Sequence, residues 1–479
     1  MDNAVVAGSF RSHRPRSPLT PGVLAALLFA GVVVAHAAPA SGKSRITYPY
    51  SPCTAKSKLP ACVTKHLGTE LVPYTPKTYP DHGLTDTMTE QGRQARGFYI
   101  TPMYLNARGP ARTAAAMKRG KLDTVVIDMK DDLGHLTYPS KIPLGQKQVR
   151  ALISDPVAMV KTFHEQGMYV IARIVTLKDS RLPYVRPDLA VRAGARAQRL
   201  YAVGENWLDA YSPEVQDYIV DIALELQSFG FDEIQFDYIR FPRGLPSSHG
   251  IWLHAGNKPP SHATMIARLL ERIDRALKLP ISADVYGLTT LVDGDPRDLG
   301  QHIERIAKYV EGISPMMYAN GMETYFRHGH ITSHVIDVIQ CGLQRARKKA
   351  GDIVLRPYLQ GFSNSVEHMW GPEFVLDQVR AAQNAGSEGY LFWNPTMRNH
   401  VVMTAMRQLS AGRGGTLMAG NKPRPSRIRA AWCPMGGDVF GPAAERERKR
   451  KRAATAARGQ PGHKVVGNRC SAGACAAMP

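Results

Sequence analysis

The sequence predicts an alpha/beta protein built on a (β/α)8 barrel, the TIM barrel fold class. From Arg96 onwards, short beta-rich runs alternate with amphipathic helical stretches, as repeated beta-alpha units require. Eight such runs can be counted, and ionisable residues gather near their carboxyl ends, where barrels place their chemistry. An open doubly wound sheet is the alternative, but no Gly-rich phosphate loop follows the first run. We therefore expect the closed barrel.

The fourth run is the most informative of the eight. Residues 230–242 read Gly-Phe-Asp-Glu-Ile-Gln-Phe-Asp-Tyr-Ile-Arg-Phe-Pro. With a period of two, apolar side chains form one face and Glu233, Gln235 and Asp237 form the other. Such a strand packs on helices with one face and turns the other toward a polar interior. The predicted strands are 97–101, 124–129, 169–175, 233–237, 281–285, 312–317, 354–360 and 389–393.

Amphipathic helices are predicted in the connections between these strands. Ser212 followed by Pro213 is a good N-cap with proline at the first helical position. Several of the helices end in a glycine just before the next strand. The predicted helices are 156–166, 213–229, 263–277, 298–309, 333–350, 373–385 and 400–409.

Residues 1–37 resemble a signal peptide. Arg16 and two earlier arginines precede an apolar run at 23–34, and Ala35 and Ala37 supply the small residues of a cleavage site. A transmembrane anchor is the alternative, but the run is shorter than the roughly 20 residues that a spanning helix needs. We expect an exported protein, periplasmic or secreted, whose mature chain begins near Ala38.

The remaining chain divides into three predicted regions. Residues 38–94 form an irregular N-terminal extension, 95–412 the barrel domain, and 413–479 a basic, low-complexity tail that we expect to be disordered. About half of the net charge of +21 lies in this tail, which has 14 Lys and Arg but 3 Asp and Glu. Its charge suits association with anionic cell-envelope polymers. No specific nucleic-acid binding is expected, because the sequence has no recognised module for it.

Six cysteines are present, and an exported protein can form disulfides from them. Local bridges between Cys53 and Cys62 and between Cys470 and Cys475 are plausible. Six cysteines nevertheless allow 15 pairings, and the sequence does not choose among them. No CxxC pair or Cys/His spacing typical of a metal site occurs, and we predict no cofactor.

Two carboxylates at neighbouring strand ends predict the chemistry. Asp237 ends the fourth strand and Asp284 the fifth, and a carboxylate that faces a barrel interior must be paired or functional. Strands about 4.8 Å apart place the two carboxylates near the roughly 5 to 5.5 Å spacing of retaining glycosidases. Repulsion between them raises one pKa and separates an ionised nucleophile from a protonated acid. We expect Asp237 as nucleophile, Asp284 as acid/base, and Asp128 as sugar-hydroxyl ligand or third acid.

Other polar and aromatic residues near the strand ends are predicted to bind the substrate. Some have structural alternatives: Arg240 could bind backbone carbonyls, and Trp393 and Tyr318 could be core residues. Asp128 could form an ion pair with Lys130 or Arg173 instead of binding a sugar. The neighbouring Asp131 and Asp132, before Gly134, could be turn formers. The predicted substrate-binding residues are Lys130, Arg173, Gln235, Arg240, Tyr286, Tyr318, Gln360, Trp393 and Asn394.

Two other functions fit the same residues. A non-catalytic carbohydrate-binding barrel would keep the aromatic residues and the polar mouth. A metal-assisted hydrolase would use Asp128, Asp237 and Asp284 as oxygen ligands, although the predicted strands place no histidine inward.

Six motifs, over roughly residues 96–409, resemble a family of glycoside hydrolases known mainly as a domain of unknown function and distantly related to the alpha-amylase barrels. The resemblance implies a TIM barrel, and in amylase-like barrels the nucleophile is an Asp that ends the fourth strand, as Asp237 does. We expect the exported enzyme to cleave a polysaccharide or a cell-envelope glycan. Amylase-like barrels have Glu where this chain has Asp284, and Arg where it has Gln235. Both differences argue against amylase-type substrates. The motifs are 125–132, 206–213, 230–242, 281–287, 314–318 and 389–395.

Overall fold

A ring of eight parallel strands forms the centre of the fold. The computed structural model describes residues 72–412 except 86, 194–204, 243–249, 257, 296–297, 323–333 and 364–369. Each strand pairs in parallel with the next, and β8 pairs with β1 to close the barrel. The strands are β1 (Arg96–Ile100), β2 (Thr124–Lys130), β3 (Tyr169–Val175), β4 (Glu233–Asp237), β5 (Ile281–Tyr286), β6 (Gly312–Met317), β7 (Val354–Leu355 and Tyr358–Gln360) and β8 (Tyr390–Trp393).

This architecture confirms the predicted barrel, and each observed strand lies within one residue of its predicted ends. The seventh strand alone is interrupted. Pro357 lacks the N–H that a continuous ladder would use, and the preceding Arg356 turns its buried side chain into the barrel. There its guanidinium donates to Glu233 on β4 and, at 2.6 Å, to the carbonyl of Gly92. This buried pair lies at the amino ends of the strands.

Helices occupy the connections between the strands. Two of them, after β1, begin with proline, and Thr101 caps the first of the two by accepting from the N–H of Tyr104. The helices are α1 (Glu90–Arg93), α2 (Pro102–Arg108), α3 (Pro110–Arg119), α4 (Pro156–Glu165), α5 (Leu182–Val185), α6 (Pro213–Ser228), α7 (His262–Ala276), α8 (Leu288–Leu291), α9 (Ile303–Ile306), α10 (Ala319–Met322), α11 (His334–Ala350), α12 (Pro372–Asn384) and α13 (His400–Ser410).

The predicted helix 298–309 is the main error among the helices, because only α9 forms there. The side chain of Asp295 accepts hydrogen bonds from the N–H groups of Leu299 and Gly300. These bonds shape a turn in which Gly300 has a φ of +82°, which lies outside the helical region. The sequence pattern is therefore helical over the whole of 298–309, although the first half of this segment is a loop in the structure.

Alternation along the strands creates two apolar layers. Outward side chains of the strands, such as Val125 and Ile127 on β2, pack against the helices in the large core. A smaller cluster fills the barrel interior and includes Val126, Tyr169 and Leu391. Polar inward residues lie at both ends of the barrel, and a hydrogen-bonded chain from Glu233 through Ser282 to Gln235 runs beside the apolar cluster.

Residues 72–85 belong to the predicted N-terminal extension and have no helix or strand. They lie along α6, where the hydroxyl of Tyr74 donates to Asp217 at 2.6 Å and that of Tyr79 donates to Asp221 at 2.9 Å. The predicted signal peptide and basic tail lie outside the described residues. Among the residues that are described, no helix has the length and apolar character needed to cross a bilayer.

Candidate active site

Arg173 lies at the centre of the polar groups at the carboxyl ends of the strands. It projects inward from β3, and its guanidinium is buried. Nη1 donates to Asp128 on β2, and Nη2 donates to Oδ2 of Asp237 at the end of β4, at 2.5 Å. Burial opposes the positive charge, but Asp128 and Asp237 outweigh it and raise the pKa of Arg173 well above its usual value. One permanent cation therefore binds two carboxylates from the neighbouring strands.

Asp284 lies beside this ion pair without joining it. The β4–β5 register pairs Phe236 with Ala283, so Asp237 and Asp284 follow at the same level. Oδ2 of Asp284 is 4.0 Å from Nε of Arg173, and Oδ2 of Asp237 is 3.2 Å from the same nitrogen. The two carboxyl oxygens are therefore no farther apart than those two distances combined. The strand ends bring the two predicted catalytic residues together.

The environment of Asp284 favours the protonated acid. Its side chain is fully buried, and neither carboxyl oxygen has a hydrogen-bond partner among the residues that the structure describes. Burial, followed by the charge of Asp237, raises the pKa of Asp284 well above its usual value. Asp237, in contrast, accepts hydrogen bonds from Arg173 and from the N–H of Tyr238. Two adjacent carboxyls thus have opposite surroundings.

Asp128 is bound on both of its oxygens. Arg173 donates to Oδ1, and the hydroxyl of Tyr99 on β1 donates to Oδ2 at 2.5 Å. Burial raises the pKa of Asp128 to about 6, although Arg173 opposes this shift. The alternative of an ion pair with Arg173 is therefore observed. Tyr99 was not among the predicted site residues, although its inward position on β1 follows from the same alternation.

Aromatic side chains border the carboxylates. The rings of Trp393 and Tyr99 have centroids 3.9 Å apart, and the guanidinium of Arg173 lies 4.9 Å from the ring of Trp393. Tyr318 follows β6, and burial, with Asp237 and Asp284 adding to it, raises the pKa of its hydroxyl well above its usual value. Both Trp393 and Tyr318 are half-buried. Their assignment to the substrate stays a prediction.

Tyr286 ends β5, two residues beyond Asp284, and is also half-buried. Its backbone N–H donates to the side chain of Gln301 at 2.8 Å, and its carbonyl accepts from the hydroxyl of Thr289. These two hydrogen bonds fix the main chain of Tyr286 at the carboxyl end of β5. Its assignment to the substrate stays a prediction.

Lys130 faces away from the site, contrary to the prediction. The pairing of β2 with β3 shifts register between Asp128 and Lys130. After this bulge the fully buried ammonium donates to the carbonyl of Val175 at 2.8 Å and pairs with Asp179 at 3.0 Å. Lys130 therefore fixes the loop after β3 and does not face the substrate.

Gln235 lies below the site and not at its surface. It is fully buried, and its amide nitrogen donates to the hydroxyls of Ser282 and Ser314 at 3.3 and 3.2 Å. Its amide oxygen accepts from the hydroxyl of Tyr358 at 2.7 Å. Because these bonds occupy both ends of the amide, Gln235 joins β4 to its neighbours. The predicted substrate contact is corrected accordingly.

Gln360 and Asn394 also bind protein groups. The side chain of Gln360 accepts from the N–H of Asn320 at 2.9 Å and donates to the carbonyl of Phe362 at 3.0 Å. That of Asn394 donates to the carbonyl of Gly361 at 2.7 Å. Because loop groups bind both amides, Gln360 and Asn394 shape loops at the mouth of the barrel.

Arg240 binds a backbone carbonyl, which was the structural alternative to a substrate contact. Its guanidinium donates to the carbonyl of Phe241 at 3.1 Å and lies 4.7 Å from the ring of Trp207. It is also 5.1 Å from the ring of Tyr238. These contacts fix the loop after β4, so Arg240 holds the residues that follow Asp237 in position.

Of the two adjacent acids at 131 and 132, one is a turn former and the other belongs to the site. Oδ1 of Asp131 accepts from the N–H groups of Leu133 and His135. Asp132 instead extends to 3.5 Å from Nη2 of Arg173, and its side chain is 43% exposed. It is the most exposed carboxylate of the group around Arg173. Two aspartates followed closely by a glycine are typical of a turn, so the sequence pattern did not predict that Asp132 lies at the site.

The cation at this site is an amino-acid side chain. Across the described ranges, no group of three or more His, Cys, Asp or Glu side chains has the arrangement of a metal site. Asp128 and Asp237 both bind Arg173. A guanidinium thus occupies the place between these carboxylates that the metal-assisted alternative gives to a metal ion.

A family model described as "Putative glycosyl hydrolase domain" matches residues 97–399. The chain belongs to this family. The match begins in β1 and extends beyond β8, so it includes the strand ends that hold the carboxylates. Membership of this glycosyl hydrolase family confirms the predicted family and the predicted enzyme class, a glycoside hydrolase.

Solved structures similar to this glycosyl hydrolase barrel include three of interest. A hypothetical protein from Ruminiclostridium thermocellum is 30% identical over 39% of this chain and 97% of its own, with a TM-score of 0.35. The glycoside hydrolase domain of PgaB (BpsB) from Bordetella bronchiseptica is 16% identical over 66% and 98%, with a TM-score of 0.48. The alpha-galactosidase TtGalA from Thermus thermophilus is 14% identical over 72% and 64%, with a TM-score of 0.41. A search of curated protein sequences found no match.

Proposed function

We propose that this protein is an exported, retaining glycoside hydrolase that cleaves a polysaccharide or a cell-envelope glycan. Asp237 is its nucleophile and Asp284 its acid/base. Membership of the glycosyl hydrolase family supports the class of bond that is cleaved, a glycosidic bond. The observation that supports the roles is the contrast between the two carboxyls: one is hydrogen-bonded to Arg173, and the other is buried with no hydrogen-bond partner among the described residues.

The proposed reaction uses each carboxyl in the state that its surroundings favour. In the first step Asp237 attacks the anomeric carbon, and the bond from that carbon to the leaving oxygen breaks as Asp284 donates its proton to this oxygen. In the second step Asp284 accepts a proton from water, whose oxygen displaces Asp237. Both carboxyls then return to their starting states. Two displacements on one carbon retain the anomeric configuration.

The aromatic residues fit the proposed substrate class. Trp393 and Tyr318 are half-buried beside the carboxylates, and the apolar C–H face of a sugar ring packs well on such side chains. Asp128 has both oxygens bound by Arg173 and Tyr99. We therefore assign it to holding Arg173 in place, in preference to a sugar hydroxyl.

The first experiment identifies the substrate and tests the two roles together. Wild-type protein is incubated with a panel of envelope glycans and exopolysaccharides, and reducing ends are measured. Asp237→Asn and Asp284→Asn are each expected to lower turnover of the cleaved glycan at least about 1,000-fold, because each removes a reacting group. Asp81→Asn is the matched control. Asp81 is 63% exposed and pairs with Arg275 on the outside of the barrel.

The outcomes separate the alternatives. Release of the product anomer with retained configuration, followed by NMR, supports two displacements, whereas inversion would contradict the nucleophile role of Asp237. Full turnover by Asp237→Asn would reject the assignment. Wild-type protein that retains a glycan but releases no reducing ends would establish the non-catalytic binding barrel instead.

Export is the second part of the proposal. It is supported by the arginines that precede the apolar run 23–34 and by the small residues Ala35 and Ala37. Expression of the full chain in a bacterial host should yield processed protein outside the cytoplasm, with Ala38 at or near its N-terminus by mass spectrometry. A chain lacking residues 1–37 should stay in the cytoplasm. Unprocessed full-length protein in the cytoplasmic fraction would contradict export.

A further inference from the structure

Tyr238, the residue after the proposed nucleophile, has a backbone conformation that is rare for its type. Its φ is +50°, in the left-handed region that favours glycine. Its N–H belongs to the peptide that joins it to Asp237, and it donates to Oδ1 of Asp237 at 2.5 Å. The left-handed φ instead sets the direction of the chain after Tyr238, which turns immediately beyond this hydrogen-bonded peptide.

The two oxygens of Asp237 have different donors. Oδ2 is bound by the guanidinium of Arg173 from β3, and Oδ1 is bound by the N–H of Tyr238. Together these donors fix the rotation of the carboxylate about its last bond. A carboxylate that is to attack one face of an anomeric carbon requires this kind of orientation.

Neighbouring groups hold the main chain of Tyr238 in place. The N–H of Leu177 donates to the carbonyl of Tyr238 at 3.3 Å, and the N–H of Thr176 donates to the carbonyl of Asp237 at 2.8 Å. The loop after β3 therefore binds the peptide groups on either side of the left-handed residue. Strain of this kind persists only where the surroundings determine the conformation.

The ring of Tyr238 is also fixed. The ammonium of Lys178 lies 4.7 Å from the ring centroid, and the guanidinium of Arg240 lies 5.1 Å from it. The indole of Trp207 contacts it at 5.9 Å between centroids. Cations are attracted to the faces of aromatic rings, so these contacts stabilise the side chain in the position that the left-handed backbone gives it.

We propose that Tyr238 is a positioning residue: its left-handed φ joins the two peptides that the loop after β3 holds, so that the peptide shared with Asp237 keeps its N–H on the carboxylate. The ring contributes by anchoring that backbone to Lys178, Arg240 and Trp207. This inference rests on the proposed function for the role of Asp237, but the geometry that it explains can be measured without turnover.

Three substitutions separate the backbone from the ring. Tyr238→Gly loses the ring but adopts a positive φ without steric cost, whereas Tyr238→Val disfavours that φ because its side chain branches at Cβ. Tyr238→Phe keeps both the backbone and the ring. On the glycan that wild type cleaves, Tyr238→Val should lose about 100-fold in kcat with KM within about 3-fold, and Tyr238→Gly and Tyr238→Phe should stay within about 10-fold of wild type in kcat.

A matched control places the same strain elsewhere. Lys121 has a φ of +57° and an exposed side chain, and it precedes β2 at the amino end of the barrel. Lys121→Val should lower the unfolding midpoint as Tyr238→Val does, while kcat stays at the wild-type value. Equal loss of kcat in Tyr238→Val and Lys121→Val would show a general effect of stability and would overturn the proposal.

Crystal structures of the Tyr238 variants give a test that needs no substrate. The Asp237 carboxylate should keep its orientation in Tyr238→Gly and rotate away in Tyr238→Val. An unchanged carboxylate in Tyr238→Val, or a kcat for Tyr238→Gly as low as that for Tyr238→Val, would overturn the positioning role. If wild type cleaves no glycan, the proposed function fails, while the crystallographic comparison still decides the role of Tyr238.

Discussion

Arg173 explains why neighbouring carboxyls at this site differ. A buried ion must be paired, and the single guanidinium pairs with Asp128 and Asp237. A third buried charge at Asp284 would lie 4.0 Å from Nε of the same arginine, farther than the bonded oxygens of Asp128 and Asp237. Burial and then the charge of Asp237 therefore raise the pKa of Asp284 and favour its protonated form. The proposed division into nucleophile and acid rests on one cation shared among three buried acids.

Removal of this cation should destabilise the fold in a pH-dependent manner. Arg173→Met leaves Asp128 and Asp237 buried without their partner, and breaking a buried pair costs about 3 to 5 kcal/mol in free energy of unfolding. The buried carboxyls of the variant bind protons more readily than those of the unfolded chain, so the loss should be large at pH 8 and smaller at pH 5. Urea denaturation at both pH values measures it.

A second substitution tests whether the unpaired buried charge causes the loss of stability. Asp128→Asn in the Arg173→Met background should recover part of the lost stability at pH 8, whereas Asp81→Asn should recover none. A loss of equal size at pH 5 and pH 8 would mean that missing packing of the arginine, and not unpaired charge, explains the effect.

At the scale of elements, the strands were predictable because alternation and β-branched runs are local signals. The same alternation correctly placed Asp128, Arg173 and Asp284 inside the barrel. It failed at Lys130, because a bulge in β2 changes the direction of the side chain after Asp128. A bulge adds one residue to a ladder and leaves no mark in the hydrophobic pattern.

The predicted side-chain partners were less accurate than the predicted strands. Gln360 and Asn394 stand at strand ends as expected, but neighbouring loops occupy their amides. The sequence does not state where a loop places its carbonyls, so it cannot distinguish a polar residue that shapes a loop from one that meets a ligand. The left-handed φ of Tyr238 was similarly invisible, because nothing in an aromatic residue predicts it.

At the scale of the whole molecule, the barrel has buried charge at both ends. Arg356 and Glu233 form the pair at the amino ends of the strands, and the Arg173 group lies at the carboxyl ends. Between them lies the inner apolar cluster. This arrangement depends on the closed ring of paired strands. Groups that join the amino ends of neighbouring strands should therefore influence the stability of the entire barrel.

Glu311 is such a group and should make stability depend on pH. It precedes β6, and its carboxyl accepts from the N–H of Ile281 at the start of β5 at 2.7 Å. Burial raises its pKa from 4.5 to about 8, although this hydrogen bond opposes the shift, and Asp274 adds to it. The folded chain therefore keeps a proton that the unfolded chain releases. Its contribution to stability is complete below pH 4.5 and is lost as the pH rises through 8.

The variant Glu311→Gln isolates this contribution, because its amide is neutral at every pH and its oxygen can still accept from Ile281. Wild-type protein should lose at most about 1.4 kcal/mol of unfolding free energy per pH unit from this group between pH 5 and 8. The variant should match wild type at pH 5 and exceed it at pH 8, measured by urea denaturation at pH 5, 6, 7 and 8. Parallel profiles for the two proteins would show that Glu311 is ionised in the fold. The pH dependence would then have to come from other buried acids, of which Asp274 has a pKa raised by burial.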